Sequence, residues 1–554
     1  MVSPLRTLGL LGLVGLLLAG LAVLFPGGSA LVPLPAAARL SADSPALKLR
    51  IIELADVLPT PPTALKDITQ TLAQAGSASL LAGGDSVATG DEQPAPAAVP
   101  GIAHADPVSA DSLAHSPGHL SAVALPRPGP LPTRAVPTND TTHLDFPIEF
   151  PAGQGQALAP FFASLRSLPR TQGLIRVLHI GDSQLEGDRV TSYLRERFQR
   201  QFGGCGVGLV SVAEVNEARL TVQVRPKGPW KKYAAYGPRG KAPHLKYGLL
   251  DAYFRFKTGP VKIDSAGNPI GTSGAASARY VLPKRGYGAA ARPEVVRVLY
   301  RNPGAPFTLQ ARADGVDLTE TQSIDAADTL GFTIVALPAG VKQIETRFAA
   351  EGASPDILGV CLDCRQGVAV DNASLRGSSC TEFGRMDMRF YGEQVRQLGV
   401  KLIVLQFGVN VGAAEAPSYK YYERMLKSQL ALLRRAVPGV PVLIIGISDM
   451  SSRQNGEWRT RPSVEKVRDA QRAAAFATGC AFWDLYGAMG GENSMPSWVV
   501  ARPSLAQPDY THFSGNGARI VGELLWKALI KEYDRFARGE IPTGEPAPQA
   551  PVIE

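Results

Sequence analysis

Residues 174–183 read LIRVLHIGDS, an apolar run that ends at Gly181-Asp182-Ser183, and residues 189–202 follow with helix-like spacing. A short apolar run closed by a glycine has the length and composition of a buried strand. A serine where a strand ends and a helix begins is held at a sheet's carboxyl edge, where ligands of open α/β folds bind. Ser183 is therefore a candidate nucleophile. Its hydroxyl attacks well only if a base takes its proton, so the reading depends on a histidine and an acid elsewhere in the chain.

Histidine is scarce enough to be searched by elimination. Of seven, four (His104, His115, His119 and His143) lie in a stretch rich in Pro, Ala and Gly, too poor in large apolar residues to offset the entropy of ordering. His179 falls inside the apolar strand and reads as a core residue, and His244 belongs to a separate basic region. His512 is the best base. It ends Asp509-Tyr510-Thr511-His512, follows the turn-like Gln507-Pro508 and precedes an amphipathic helix over 518–533, which places it in a loop over the same sheet edge.

Between these ends lies Gly408-Val409-Asn410, directly after the apolar strand 401–407. An Asn amide and backbone N–H groups at such a place can donate to a developing oxyanion, each donor contributing about 3 to 4 kcal/mol. Gly377, after the strand 367–372, offers a further backbone donor. Each tripeptide alone is common in turns. Their joint order and their placement at strand ends carry the reading.

Ser183, Gly377, Asn410 and a C-terminal Asp509-x-x-His512, in that order, resemble the SGNH (GDSL-type) hydrolase family. The resemblance spans residues 172–215 and 366–535. It implies an SGNH-hydrolase (flavodoxin-like) α/β fold, a parallel sheet with helices on both faces. It also implies a serine esterase in which Ser183 attacks an ester carbonyl, Asp509 and His512 complete the triad, and Ser183, Gly377 and Asn410 form the oxyanion hole. Two positions depart from the family pattern: Val411 stands where Asp is usual, and Gln184 where Leu is usual, a change that leaves the nucleophile in place. The long interruption looks like the bacterial peptidoglycan O-acetylesterase branch, in which a β-rich module follows the first motif. The implied substrate is an acetylated cell-wall polysaccharide, peptidoglycan first, with no metal and no cofactor. One rival keeps the triad but passes the acetyl group to a sugar hydroxyl; another is a non-catalytic envelope glycan-binding protein, against which the intact triad counts. The Gly-x-Ser-x-Gly elbow of the α/β-hydrolases is missing at Ser183.

Organisation along the chain follows from composition. Residues 7–25 are apolar or small throughout, close to the roughly 20 needed to span a bilayer. Gly28-Ser29-Ala30 also reads as a cleavage site. Residues 1–30 are thus a signal peptide or, preferably, a membrane anchor, and 31–145 a linker rich in Ala, Pro and Gly. The first part of the catalytic domain occupies 146–215. Short segments at 219–224, 252–257, 294–300, 307–313, 332–337 and 343–348, separated by turn residues, make 216–365 a β-sandwich insert. Strands then alternate with helices over 366–540, as in a parallel sheet covered on both faces, and 541–554 is a tail. The expected location is the bacterial cell envelope, anchored at the inner membrane or secreted into the periplasm.

Charge is unevenly spread. Between Arg219 and Arg301 there are seventeen Lys and Arg against three acidic residues, an asymmetry that points to an anionic partner. No nucleic-acid-binding module accompanies it, so nucleic acid is not expected. Five cysteines occur, with Cys361-x-x-Cys364 the only close pair; a structural bridge is the default there, since no second Cys or His pair stands at zinc-ligand spacing. No phosphate-cradling or dinucleotide motif is present.

Overall fold

The computed structural model of the chain describes residues 146–541, apart from 214–218, 238–241, 243, 260, 264–268, 272 and 284–287. The expected anchor and linker and nearly all of the expected tail lie outside the described residues. Among the described residues no helix is long and apolar enough to cross a membrane.

Five strands, β1 (Leu174–Gly181), β2 (Gly367–Ser374), β3 (Val400–Gln406), β4 (Val442–Ile445) and β5 (Ala481–Trp483), form one sheet in the order β2-β1-β3-β4-β5. All neighbours are parallel. This is the flavodoxin order, whose switch point lies between β1 and β3. Consecutive strand residues face opposite sides, and the sheet uses this to build two cores. Leu178, Ile180, Ile403, Leu405 and Ile444 pack with helices α3 (Met388–Gln397), α4 (Lys420–Ala436) and α5 (Ser463–Ala477). Val177, Leu402, Val404, Leu443 and Ile445 pack on the other side with α1 (Ala159–Thr171), α2 (Thr191–Phe202) and α6 (Gly515–Ala537). Each fully buried Leu or Ile contributes about 1.5 to 3 kcal/mol, so a one-residue slip of a central strand would exchange two complete sets of contacts.

Helix boundaries follow local chemistry. Asp387 caps α3 by accepting from the Arg389 and Phe390 amides, and Ser514 caps α6 by accepting from Gly517 N, each satisfying donors a helix start leaves open. On α4 the buried residues Tyr422, Leu426, Leu430 and Leu433 fall on one stripe.

Between β1 and β2 the chain builds two antiparallel sheets. One contains strands Gln223–Lys227, Ser273–Val281, Phe307–Ala313 and Gln343–Glu351; the other contains Gly206–Val210, Trp230–Ala234, Ala252–Phe256, Val295–Asn302, Ala327–Ala336 and Asp356–Asp363. They enclose a core that includes Phe254, Tyr280, Val298, Phe348 and Val360. The strand expected at 219–224 begins instead at Gln223, because Thr221 turns inward to donate to the buried Asp188 carboxylate. Strand Ser273–Val281 has a first half of Ser, Gly and Ala, too weak in β-propensity to be read in advance.

The second sheet also has an apolar outer face. Leu209, Tyr253, Leu299, Leu358 and Cys361 join the core formed by α3, α4 and the catalytic sheet. Arg176 on β1 cements this junction, donating at 2.5 Å to Asp371 on β2 and at 2.5 Å to Asp363 on the insert strand, all three fully buried. A disulfide joins Cys205 to Cys364 with Cα atoms 4.9 Å apart, correcting the expected Cys361–Cys364 pairing. Three residues along a strand span roughly 10 Å, beyond a disulfide's reach. Cys361 is a free, buried thiol whose pKa burial pushes up to about 12.

Candidate active site

Gly181 ends β1 under tight constraint: a Cβ there would lie 2.4 Å from the Gln406 carbonyl oxygen, so only glycine lets β1 and β3 approach at the switch point. Asp182 then caps a short 3-10 turn, Ser183–Asp188, by accepting from Gln184 N at 3.0 Å. Burial pushes the Asp182 carboxyl up to about 7, against the pull of the Gln184, Gly408 and Val409 amides. Ser183, 8% exposed, opens the turn.

The C-terminal loop brings the base. Ser183 Oγ lies 2.8 Å from His512 Nε2, and His512 Nδ1 lies 2.7 Å from Asp509 Oδ2. The other Asp509 oxygen accepts from the Thr511 and His512 amides. Burial of Asp509 favours its neutral form, but these hydrogen bonds and the neighbouring imidazole outweigh it and hold the carboxyl below its ordinary range. It is thus an anion at neutral pH, oriented to accept the Nδ1 proton and leave Nε2 as the acceptor facing Ser183.

Asn410 follows β3, and its Nδ2 donates to Ser378 O at 2.8 Å. That bond fixes the amide plane and leaves the second N–H of the same nitrogen for another acceptor. Gly377 occupies the turn Leu375–Ser378, closed by Ser378 N donating to Leu375 O and tied to the serine loop by Leu375 N donating to Gly181 O at 2.7 Å. The fold therefore gathers Ser183, Gly377, Asn410, Asp509 and His512 from four loops at one sheet edge. The remaining histidines stand elsewhere. His179 is fully buried on β1 with Nδ1 3.1 Å from Thr191 Oγ1, and burial holds it neutral with a pKa of about 4. His244 lies 3.2 Å from Asp356 in the insert, beside Arg255 and Arg301. A cavity of about 590 Å³ between the insert and helices α3 and α4, lined by Lys246, Arg389, Arg396 and Arg435, contains none of the five site residues.

Three features of the site were not read in the sequence. Arg189 donates to Ser183 O at 2.9 Å and to Phe513 O at 3.0 Å, tying the two loops together. A hairpin of Ser451–Gln454 and Glu457–Thr460 carries Trp458, which stacks on Tyr510 at 3.8 Å and 9° between planes, and Ser451 N donates to Tyr510 O. Gln184 makes the third set of contacts, treated below. Only Gln184 left a signal, as a departure from the expected motif. Among the described residues Cys205, Glu294 and Cys364 group closely enough to suggest a metal site, but the two sulfurs are joined to each other.

A sheet of flavodoxin order with a serine, a histidine and an aspartate meeting at its switch point has the architecture of an SGNH-type α/β hydrolase. Residues 337–520 match the GDSL-like lipase/acylhydrolase family, so the chain carries a domain of that family and is a carboxylic ester hydrolase. Gly377, Asn410, Asp509 and His512 fall inside the matched stretch, and Ser183 precedes it across the insert. No curated protein matches the chain. Among solved structures, a peptidoglycan O-acetylesterase is similar at 22% identity and a TM-score of 0.52, covering 69% of this chain and 98% of that one. An acetyl xylan esterase (16% identity, 29% of this chain, 81% of that one) and a family two carbohydrate esterase from Cellvibrio japonicus (8%, 56% and 100%) are similar at a TM-score of 0.23.

Proposed function

We propose that this esterase removes O-acetyl groups from a bacterial cell-wall polysaccharide, with peptidoglycan as the first candidate, and that it works in the cell envelope, tethered or exported through its N-terminal apolar segment. The observation that carries the chemistry is the continuous relay Ser183 Oγ, His512 Nε2, His512 Nδ1, Asp509 Oδ2, with contacts of 2.8 and 2.7 Å. Support for the substrate class is the fold-level likeness to a peptidoglycan O-acetylesterase, together with the excess of basic residues between Arg219 and Arg301.

In this reading the Ser183 oxygen attacks the acetyl carbon while its proton passes to His512 Nε2, and Asp509 holds the Nδ1 proton and stabilises the imidazolium. The carbonyl oxygen becomes an oxyanion, met by the Ser183 and Gly377 amides and by the free N–H of Asn410. Collapse breaks the bond to the sugar oxygen, which leaves with the proton from Nε2. Water, deprotonated by the same nitrogen, then attacks the acetyl-serine and releases acetate.

The test is acetate release from O-acetylated peptidoglycan and from a simple aryl acetate, alongside an assay for acetylated sugar acceptors. Release from both substrates by the wild type, lost in Ser183→Ala, is the expected result. Turnover of the aryl acetate without release from peptidoglycan would move the substrate elsewhere, and acetylated acceptor formed faster than free acetate would make the enzyme a transferase.

A further inference from the structure

Gln184 stands beside the nucleophile, 2% exposed, and its carboxamide is spent on the loop that carries the base. Nε2 donates to Thr511 O at 2.8 Å and to Ser448 Oγ at 3.1 Å, and Oε1 accepts from Phe513 N at 3.4 Å. Thr511 and Phe513 are the two residues that flank His512. One planar amide therefore grips the carbonyl before the base and the N–H after it, as a neighbouring β-strand's peptide would. His512 has its own amide and carbonyl engaged by Asp509 Oδ1 and Gln507 N, so the backbone around it is fixed on every side. Leucine at position 184 would supply none of these bonds.

We infer that Gln184 is a positioning residue that sets the reach between Ser183 Oγ and His512 Nε2 by clamping the Thr511–Phe513 backbone to the nucleophile turn. The inference rests on the triad reading above. Ser183 and His512 are separated by 329 residues and lie on different loops, bridged by Arg189 through the Ser183 and Phe513 carbonyls and by Gln184 through the Thr511 carbonyl and the Phe513 amide that flank the base. A displacement of about 1 Å at reacting groups costs as much as roughly 100-fold in rate. Loss of the clamp therefore acts on turnover, whereas the burial of Phe513 and the packing of α6 survive it.

Two variants and one control decide the matter. Gln184→Leu, nearly equal in volume, is expected to lower kcat on an aryl acetate by about 10- to 100-fold with KM little changed, and to slow covalent labelling of Ser183 by an aryl phosphonate in parallel. Gln184→Glu retains the acceptor for Phe513 N but, when ionised, sets an oxygen against Thr511 O. Protonation restores the donor, so its kcat relative to wild type is expected to rise as pH falls from about 8 to about 6, a burial-raised glutamate titrating in that range. Wild-type kcat in Gln184→Leu would overturn the inference. A Gln184→Glu ratio that stays constant with pH would also overturn it, and that measurement decides alone if the leucine variant does not fold. Ser183→Ala, run beside them, separates the claims: turnover by that variant sinks the triad itself, while an inactive Ser183→Ala beside a fully active Gln184→Leu sinks only the clamp.

Discussion

Two histidines lie near Ser183 in the sequence or the fold, and their surroundings make them opposites. His179 is sealed within the β1 layer and held neutral, while His512 is partly exposed between an acid and the serine. His512→Ala is therefore expected to lower turnover nearly as far as Ser183→Ala, in a triad enzyme a factor of about 10⁶, with His244→Ala remaining close to wild type. Full activity in His512→Ala would reduce Asp509-x-x-His512 to a local turn. Asp182 makes a second expectation. Its folded pKa of about 7 stands above the ordinary 3.8, so the folded protein holds the extra proton between those values and stability falls as pH rises through them. Asp182→Asn keeps an oxygen for Gln184 N and removes that fall. In urea melts its stability relative to wild type is expected to grow from about pH 4 to about pH 7, by at most about 4 kcal/mol, and then level off. A pH-independent difference would mean that the carboxyl titrates normally.

At the scale of elements, the junction between β1, β2 and strand Asp356–Asp363 turns on one guanidinium. Arg176 donates to two carboxylates in a site without solvent, and Asp371 also accepts from Leu209 N at 2.7 Å on the neighbouring insert strand. Removing one member of a buried ionic group leaves uncompensated charge and costs about 3 to 5 kcal/mol, whereas neutralising the whole group restores much of it. Arg176→Met is thus expected to lower the urea midpoint sharply, and Arg176→Met/Asp363→Asn/Asp371→Asn to recover most of the loss. Equal midpoints for the two variants would show that the arginine acts through its bulk alone.

For the whole molecule, the insert is welded to the catalytic domain by a shared core, so its contribution is better tested on its surface than by deletion. On the sheet that faces away from that core, Arg225 stands directly opposite Arg279, Lys227 opposite Ser277, and Ser277 opposite Arg347. Glu345 is the carboxylate near Arg279 and Arg347, at 3.9 and 3.4 Å. Like charges paired across strands oppose folding, and an acidic polymer would relieve that repulsion. Arg225→Glu/Arg279→Glu/Arg347→Glu is expected to abolish co-sedimentation with purified wall polysaccharide at low salt while sparing aryl acetate turnover. Wild-type binding is expected to weaken with salt, since screening acts beyond about 8 Å at physiological ionic strength. Equal pelleting of both proteins at every salt level would remove this face from polymer binding.

What the sequence determined by itself were features written in local chemistry. Apolar runs closed by glycine marked β1 and β3, helical periodicity over 518–533 marked α6, where the structure has Gly515–Ala537, and the spacing Asp509-x-x-His512 brought an acid to its histidine within one turn. Tertiary structure decided whatever depends on distant segments meeting. Cys205 rather than Cys361 reaches Cys364 because sheet pairing sets which cysteines approach. Strands Gly206–Val210 and Asp356–Asp363 join the insert because pairing partners lie far off in the chain. Gln184 reads as a harmless exchange for leucine until the fold lays Thr511 and Phe513 against its amide. A side chain's own type and its near neighbours fix how it can bond, and only the folded chain supplies the group it bonds to.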